Sequence, residues 1–330
     1  MEYTNQPSQI NNCIIRDAVD YGMRVNNGTT NISDCQVLDN GGDGIRSETA
    51  MLELHNVSIM GNGGYGMYYN NAYYMNVLDN VSIEDNAQGQ VALGGSDLTA
   101  NRTWNAYTYD ILGTIRVGHY RHDGSGFCRL TLLPGTILCF AEGTSMQISF
   151  DYNAGELYAV GTEEAPITFT ALNGEIGGWT GLSFTDHCDY NGNMVSVLEH
   201  CIIEKGNTYN LYIEYTNQPS QINNCIFKDA VGYGVRVNNG MTNISGCQVL
   251  NNGGDGIMSE TAMLQLHNVS LTNNGGYGIY YTNAHYMNVM EDVDIEGNGL
   301  GQVALGGGDI TENRTWKPYT YDIFGTIRVG

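Results

Sequence analysis

Short stretches of alternating apolar and polar residues recur along the chain, each running from Cys or Val through one variable residue to Ile or Val. In the first third of the chain they begin at Cys13, Cys35, Val57 and Val81, with spacings of 22, 22 and 24 residues. Alternation over three to five residues is the period of a β-strand that buries one face. Each stretch leads into a polar bend with Asn and Gly, which tolerate left-handed backbone. The pattern predicts a strand–turn–strand rung of 22 to 24 residues.

A rung of this length cannot bury its apolar side alone, so the rungs are expected to stack about 4.8 Å apart into an all-β parallel solenoid with a continuous core. An Asn row at the bend is expected to be buried, because identical stacked geometry can satisfy each amide from the rungs above and below. The predicted structural stacks are the cysteines Cys13, Cys35, Cys201, Cys225 and Cys247, and the asparagines Asn40, Asn62, Asn86, Asn252, Asn274 and Asn298.

A much longer repeat contains the short one. Residues Glu2–Gly118 and Glu214–Gly330 align without insertion or deletion at a spacing of 212, and 89 of the 117 paired residues are identical. A shared core and a tolerant surface explain the differences. Core positions change only among apolar residues, as in Ile15/Phe227, Met23/Val235, Ile59/Leu271 and Met67/Ile279, whereas surface positions change freely, as in Asp20/Gly232, Arg46/Met258, Met60/Thr272 and Asn105/Lys317.

The segment between the two copies occurs once and carries a family resemblance. Its segments, followed by the Asn/Gly rungs, resemble the right-handed parallel β-helix (pectate-lyase-like) repeat domains of large secreted bacterial surface proteins. The resemblance implies a right-handed solenoid, and it leaves activity open because this fold hosts lyases, hydrolases, adhesins and passive stalks. The segments are LTLLPGTILCFAEG at Leu130–Gly143, GELYAVGTEEAPITFTA at Gly155–Ala171, GGWTGLSF at Gly177–Phe184 and VSVLEHCIIEKG at Val195–Gly206.

The repeat phase divides the chain into the C-terminal part of one unit at 1–100, a complete 212-residue unit at 101–312 and the start of a third at 313–330. We therefore expect an excerpt of about one and a half tandem units from a longer protein. At about 23 residues per rung, one unit is about nine rungs, with an axial repeat of about 43 Å.

The charge balance is strongly acidic, with 13 Lys and Arg against 35 Asp and Glu and a formal charge of −22. Nucleic acid and anionic membranes are therefore not expected as partners, because they require clustered cations. No apolar run is long enough to insert this segment into a membrane. The composition suits an extracellular or cell-surface protein, with surface glycans or further copies of itself as partners.

Tyrosines are unusually common, and one Tyr-rich bend recurs in both copies. Adjacent Tyr68 and Tyr69 cannot both point into a strand core, so part of the row must face outward. An exposed aromatic row can stack on sugar rings or pack against a neighbouring filament. The candidate ligand-binding residues are Tyr65, Tyr68, Tyr69, Tyr74, Tyr277, Tyr280, Tyr281 and Tyr286.

Calcium is a possible ligand but not a required cofactor. The acidic bend NGGDGI offers Asp43 in the first copy and Asp255 in the second, as single carboxylates in otherwise solvated turns. A second metal hypothesis concerns His119, His122 and Asp123 with Asp186 and His187, although spacing alone cannot close such a site.

Catalytic signals are weak, so no catalytic residue is assigned. Asp17 and Asp39 occupy equivalent positions on adjacent rungs, at a separation near that of retaining glycosidases. In the second copy this pair becomes Asp229 and Asn251, which removes one carboxylate. The recurring arginines, such as Arg116 and Arg328, are not expected to stack with a group of acids as a lyase requires.

The leading hypothesis is a non-enzymatic extracellular solenoid, a segment of a tandem-repeat surface stalk, adhesin or filament. The alternative is a carbohydrate-active or carbohydrate-binding β-helix, acting as a polysaccharide lyase or hydrolase or as a passive sugar-binding module.

Overall fold

The computed structural model describes residues 7–120, 127–185, 195–215, 218–288 and 290–330. It is a right-handed parallel β-solenoid of about 12 turns, which confirms the predicted fold class. Within the described residues, no helix is long and apolar enough to cross a membrane. The only helical segments in this part of the chain are short 3₁₀ turns, including Ala72–Tyr74 and its repeat Ala284–Tyr286.

The strands of the described residues are, in chain order, β1 (Ser8–Asn11), β2 (Ile14–Arg16), β3 (Met23–Leu38), β4 (Ile45–Met60), β5 (Tyr65–Tyr69), β6 (Asp79–Glu84), β7 (Gly89–Leu93), β8 (Ser96–Leu98), β9 (Arg102–Trp104), β10 (Thr108–Ile111), β11 (Ile115–Val117), β12 (His119–Tyr120), β13 (Cys128–Leu132), β14 (Ile137–Phe140), β15 (Met146–Ile148), β16 (Asn153–Val160), β17 (Ile167–Ala171), β18 (Leu182–Phe184), β19 (Val197–Glu199), β20 (Cys201–Glu204), β21 (Tyr209–Glu214), β22 (Gln221–Asn223), β23 (Ile226–Lys228), β24 (Tyr233–Asn238), β25 (Gly240–Ser245), β26 (Gln248–Leu250), β27 (Ile257–Ser259), β28 (Ala262–Thr272), β29 (Tyr277–Tyr281), β30 (Met290–Glu296), β31 (Gly301–Leu305), β32 (Gly308–Ile310), β33 (Tyr321–Ile323) and β34 (Ile327–Val329).

Each turn of the solenoid contributes to three faces, which we number in the order in which the chain meets them. In the first copy, Ile32 lies on face 1, Val37 on face 2 and Ile45 on face 3, and all three are fully buried. Successive turns pair in parallel and in register, so that each inward side chain stacks on its equivalent one turn away. The core is therefore a set of columns running the length of the rod, as the sequence predicts.

The predicted cysteine columns are confirmed. Cys35 pairs with Val57, which pairs with Val81, and the Cys13 amide donates to Cys35 Sγ at 3.3 Å. The second copy repeats the contact, since the Cys225 amide donates to Cys247 Sγ at 3.3 Å. The cysteines of the described residues are free thiols.

The predicted asparagine ladders are also confirmed. Asn40 Nδ2 donates to Asn62 Oδ1 at 2.8 Å, and Asn62 Nδ2 donates to Asn86 Oδ1 at 2.8 Å. In the second copy, Asn252, Asn274 and Asn298 make the same bonds at 2.9 Å. The amide oxygens also accept backbone N–H groups of the preceding turn, so these buried amides are satisfied.

Two corners of each turn in the two copies hold a residue in the left-handed conformation, which favours Gly, Asn and Asp. The corner between faces 1 and 2 is formed by Asn12, Asp34, Asn56 and Asn80, and in the second copy by Asn224, Gly246, Asn268 and Asp292. The corner after face 2 is formed by Asp17, Asp39, Gly61 and Asp85, and by Asp229, Asn251, Asn273 and Gly297. Every difference between the copies at these corners stays among the three residue types that tolerate this backbone.

The complete unit contains eight turns rather than the nine expected. Pairing from Trp104 to Met290 takes seven turns, and the junction turn to the equivalent Trp316 is the eighth. The estimate fails because turns in the once-occurring segment are longer than 23 residues, as from Leu132 to its stacking partner Ala159. Eight turns correspond to an axial repeat of about 38 Å.

The junction between units shifts the faces by one. The strands of face 3 in the first copy do not pair onward into face 3 of the second copy. Their line of pairing leads into face 2 of the second copy instead. Face 3 of the second copy stands instead on β8, β11 and β15. The line that changes face is Val91, Tyr109, Leu138, Phe169, Ile203 and Phe227.

The same step recurs at the end of the second copy, where Val303 pairs with Tyr321 and Gly308 with Ile327. These pairs are the equivalents of Val91 with Tyr109 and Ser96 with Ile115. The shift of face is therefore encoded in the repeat itself.

Candidate ligand-binding surface

The Tyr-rich bend divides into outward and inward side chains. Tyr68 and Tyr280 lie on face 3 of their own copies and point outward, half-buried. Tyr69 and Tyr281 point into the core and are buried, so including them in an exposed binding row was wrong. The reason is strand alternation: Met67 and Tyr69 fill the core positions, and Tyr68 lies between them.

Because of the shift of face, Tyr68 and Tyr280 do not lie on one line. The column of Tyr68 continues through Ala92, Asp110 and Cys139 toward the outer side of face 2 in the second copy. The column of Tyr280 contains Met258, Arg236 and Tyr212 instead. The two aromatic rows therefore occupy neighbouring faces of the rod.

Tyr65 is tied to a carboxylate two turns away. Its hydroxyl donates to Asp110 Oδ2 at 2.9 Å. Burial raises the pKa of Asp110, while the hydrogen bond from Tyr65 acts in the opposite direction. Burial and the contact with Asp110 raise the pKa of the Tyr65 hydroxyl, which therefore remains a donor. The pair repeats as Tyr277 with Asp322.

The remaining candidates, Tyr74 and Tyr286, pack partly against the core. Tyr74 contacts Tyr73 edge to face with 5.2 Å between the ring centroids, and Tyr286 contacts His285 at 5.1 Å in the same way. The substitution of Tyr73 by His285 thus keeps the edge-to-face geometry. Ligand binding by these outward aromatic residues stays a prediction.

The candidate calcium ligand Asp43 is engaged by the protein. Asp43 Oδ1 accepts the Tyr65 amide at 2.9 Å, and Asp43 Oδ2 lies 3.2 Å from Arg46 Nη1. Asp255 accepts the Tyr277 amide at 2.7 Å, and its turn carries Met258 where the first copy has Arg46. Burial raises the pKa of Asp255.

Among the described residues, no group of three or more His, Cys, Asp and Glu side chains comes together. Calcium binding at Asp43 and Asp255 stays a prediction. In the His-rich hypothesis, His122, Asp123, Asp186 and His187 lie outside the described residues.

The carboxylates considered for catalysis are corner residues. Asp17 and Asp39 have φ values of 60° and 51°, and both side chains are exposed. Asp17 lies 3.4 Å from Arg16 on its own turn. The left-handed backbone explains why this pair becomes Asp229 and Asn251 in the second copy, since either residue type suits the corner.

A charged cluster in the once-occurring segment was missed by the sequence analysis. Lys205 and Lys228 both approach Glu204, at 3.6 and 3.0 Å, and Thr170 Oγ1 donates to Glu204 Oε1 at 2.7 Å. Burial opposes ionisation of Glu204, but these hydrogen bonds and the two cations lower its pKa overall. The cluster links three successive turns on the outside of face 2.

Arg116 lies in register with a single acid, Asp97, and its Nε donates to Asp97 Oδ1 at 2.6 Å. This ion pair lines an open groove of about 730 Å³ at the unit junction, which the sequence analysis also missed. The recurrence of Arg116 and Arg328 was the signal available in the sequence. The groove, here called the junction groove, is lined by Asn71, Tyr73, Gly95, Ser96, Asp97, Thr114, Arg116, Ser145 and Gln147.

Comparison with known proteins agrees with this architecture. The family described as right handed beta helix region matches residues 1–107 and 183–263, together more than half of the chain. The chain belongs to this family of β-helix proteins. No curated protein that was compared with the chain matches it.

Proposed function

We propose that the chain is a segment of a non-enzymatic extracellular β-solenoid, a structural and adhesive rod built from tandem units. The observation that carries the proposal is the junction, where strand pairing passes from one unit into the next along two lines and side-chain hydrogen bonds of Asn76 and Asn105 link the third. A repeat that supplies its own continuation builds length, because each added turn buries the exposed edge of the one before.

The distribution of polar groups supports a mechanical role. The backbone ladders, the apolar columns and the asparagine ladders all run along the axis, so that each turn is held by both neighbours. Several ion pairs on the outside connect successive turns, such as Arg24 with Glu48 and Arg236 with Glu260.

The adhesive part of the proposal draws on the outward Tyr rows and the acidic surface. The net charge of −22 disfavours polyanionic partners, which suits an extracellular location. Surface glycans and further copies of the protein, through end-to-end or lateral contacts, are the partners that this surface favours.

Electron microscopy of the native, full-length protein tests the proposal. We expect thin rods whose computed axial repeat is about 38 Å, the rise of eight turns, or a multiple of it. Compact particles or short rods without an axial repeat would contradict a tandem rod.

The alternative, a carbohydrate-active β-helix, is favoured by one observation, the polar junction groove. A panel of polysaccharides with and without calcium, assayed for new reducing or unsaturated ends, tests it. Release of such ends that is lost in an Asp97→Asn variant would favour the enzyme and contradict the non-enzymatic rod.

A further inference from the structure

The junction groove is built from parts of the chain that are far apart in sequence. Asn71 and Tyr73 come from the 3₁₀ turn after β5, Asp97 from β8, Arg116 from β11 and Gln147 from β15. Asp97, Arg116 and Gln147 are consecutive in one in-register column, so their side chains leave face 3 side by side at about 4.8 Å intervals. The groove exists only where one unit has stacked on the next.

The groove is held in shape by contacts outside its opening. The guanidinium of Arg102 stacks on the Tyr73 ring at 4.4 Å, and Arg102 Nε donates to the Tyr73 carbonyl at 2.6 Å. The Asn71 side chain accepts the Tyr73 amide at 2.9 Å. The Asp97–Arg116 ion pair fixes the orientation of the carboxylate and of the guanidinium. The lone pairs and N–H groups that the ion pair does not use therefore have fixed directions.

The chemistry of the lining selects a class of ligand. It contains no aliphatic side chain beyond the methyl of Thr114, so an apolar ligand finds no surface to bury. Its single cation is already paired with Asp97, and the chain as a whole is strongly acidic, so an anionic ligand is repelled. Planar amide, carboxylate and guanidinium groups beside hydroxyls and one aromatic ring match the hydroxyls and the C–H face of a sugar.

We propose that the junction groove binds a neutral glycan, taking one or two pyranose units between Tyr73 and the Asp97–Arg116–Gln147 column. This inference rests on the adhesive part of the proposed function and names its ligand class. The volume lies within the range of small-molecule sites. Beyond Gln147 the same column continues through Ser183 to Tyr212 and Arg236, which provides a track for further sugar units along the axis.

The second copy contains half of the same groove. Asn283, Asp309 and Arg328 correspond to Asn71, Asp97 and Arg116, while His285 replaces Tyr73. Arg328 lies 3.2 Å from Asp309, so the ion pair is retained. Of the lining residues with an equivalent in the second copy, Tyr73 and Ser96 differ, as His285 and Gly308, so these two distinguish the junction groove.

Isothermal titration calorimetry of the chain with neutral oligosaccharides tests the site, using gluco-, manno- and xylo-oligosaccharides and an oligogalacturonate as the anionic comparison. We expect saturable binding of at least one neutral series, weakened at least tenfold by Tyr73→Ala and by Gln147→Ala. Tyr158→Ala and Gln265→Ala, which remove outward side chains elsewhere on the rod, are the matched controls and should leave the affinity unchanged. Thermal unfolding of the four variants checks that each is folded.

Three outcomes would overturn the proposal: no neutral oligosaccharide binds, all four variants bind alike, or the oligogalacturonate binds more tightly. The result is separable from the test of the rod. Rods with the expected axial repeat but without glycan binding would remove the groove proposal alone. Cleavage of a bound glycan would instead support the groove and contradict the non-enzymatic function.

Discussion

The two copies share most of their residues, yet the same residue can be core in one and surface in the other. Ile111 and Val117 are completely buried, whereas the equivalent Ile323 and Val329 are 53% and 81% exposed. The difference lies in the next turn: β14 and β15 cover the first pair, and no described strand covers the second. Burial in this fold is thus a property of stacked neighbours, since one turn has no core of its own.

A second difference lies within the turns. Asp43 in the first copy faces Arg46, which also stacks on Tyr68 at 4.1 Å, whereas Asp255 has Met258 at that position. The carboxylate keeps its backbone hydrogen bond in both copies. The ion pair is therefore an addition to a turn that forms without it.

The largest expected difference between the copies comes from substituting one equivalent isoleucine, in each copy separately. Ile111→Ala should lower the free energy of unfolding by about 4 kcal/mol, because it leaves a cavity between packed turns. Ile323→Ala should lower it by less than about 1 kcal/mol, because that side chain is already half in solvent. Urea unfolding of the two variants measures the difference, and equal losses would contradict the view that burial is set by the neighbouring turn.

The next largest difference in unfolding free energy between the copies is expected at the asparagine ladders. Asn252→Ala should cost about 3 kcal/mol, because it leaves the Ala230 amide without its acceptor and removes the hydrogen bonds to the Asn210 and Asn274 side chains. Asn40→Ala should cost about 2 kcal/mol, because its oxygen accepts the Ala18 amide and no second asparagine donates to it among the described residues. Denaturant titrations of both variants check the order; a larger loss for Asn40→Ala would show that the extra rung contributed by Asn210 adds nothing.

The left-handed corners should respond alike in the two copies. Asn12 and Asn224 both have a φ value of 53°, so Ala at either position should cost about 1 to 2 kcal/mol through local backbone strain. Gly at the same positions is the control and should be nearly neutral, as Gly246 stands naturally where the first copy has Asp34. Thermal unfolding compares the four variants. A clear difference between copies would mean that stacking, rather than local conformation, sets the cost.

The smallest effect should come from transferring the ion pair. Met258→Arg should stabilise the chain at neutral pH by about 1 kcal/mol or less, as expected for a partly exposed pair. Burial raises the folded-state pKa of Asp255 above its unfolded value, so ionising it in the folded protein destabilises, and that penalty disappears as pH falls through the raised pKa.

The stabilisation by Met258→Arg should therefore be present above the raised folded-state pKa of Asp255 and vanish once the pH is low enough to protonate Asp255 in the folded variant as well. Unfolding free energies of the wild type and the variant across this range measure the difference. A gain that does not depend on pH would assign the effect to contacts of the arginine other than Asp255, such as Tyr280.

Much of the fold follows from the sequence because the core columns repeat at nearly constant spacing. The cysteine columns and the asparagine ladders needed only that spacing and strand alternation. Asn210 was missed as a ladder member because it lies in a turn without the recurring motif. The shift of face was missed because it depends on which strand β10 pairs with, and pairing between turns leaves no mark in local periodicity.

The candidate site was less accessible to sequence reasoning. The sequence indicated that Tyr68 and Tyr69 cannot both point inward, but strand alternation needs a fixed phase before Tyr69 can be placed inside and Tyr68 outside. The junction groove draws on Tyr73, Arg116 and Gln147, which are separated by 43 and 31 residues and become neighbours only through stacking across a unit boundary. Such a site has no linear motif.

The shift of face at the junction limits how this chain can engage a partner. Tyr68 and Tyr280 point to neighbouring sides of one rod, so a flat surface that meets one row is turned away from the other. Contact with a single flat partner is therefore monovalent for each pair of units, and no avidity arises from the second row. If these rows bind, two partners lying on different sides would each take one row, and the rod would bridge two surfaces rather than form a multivalent patch for one of them.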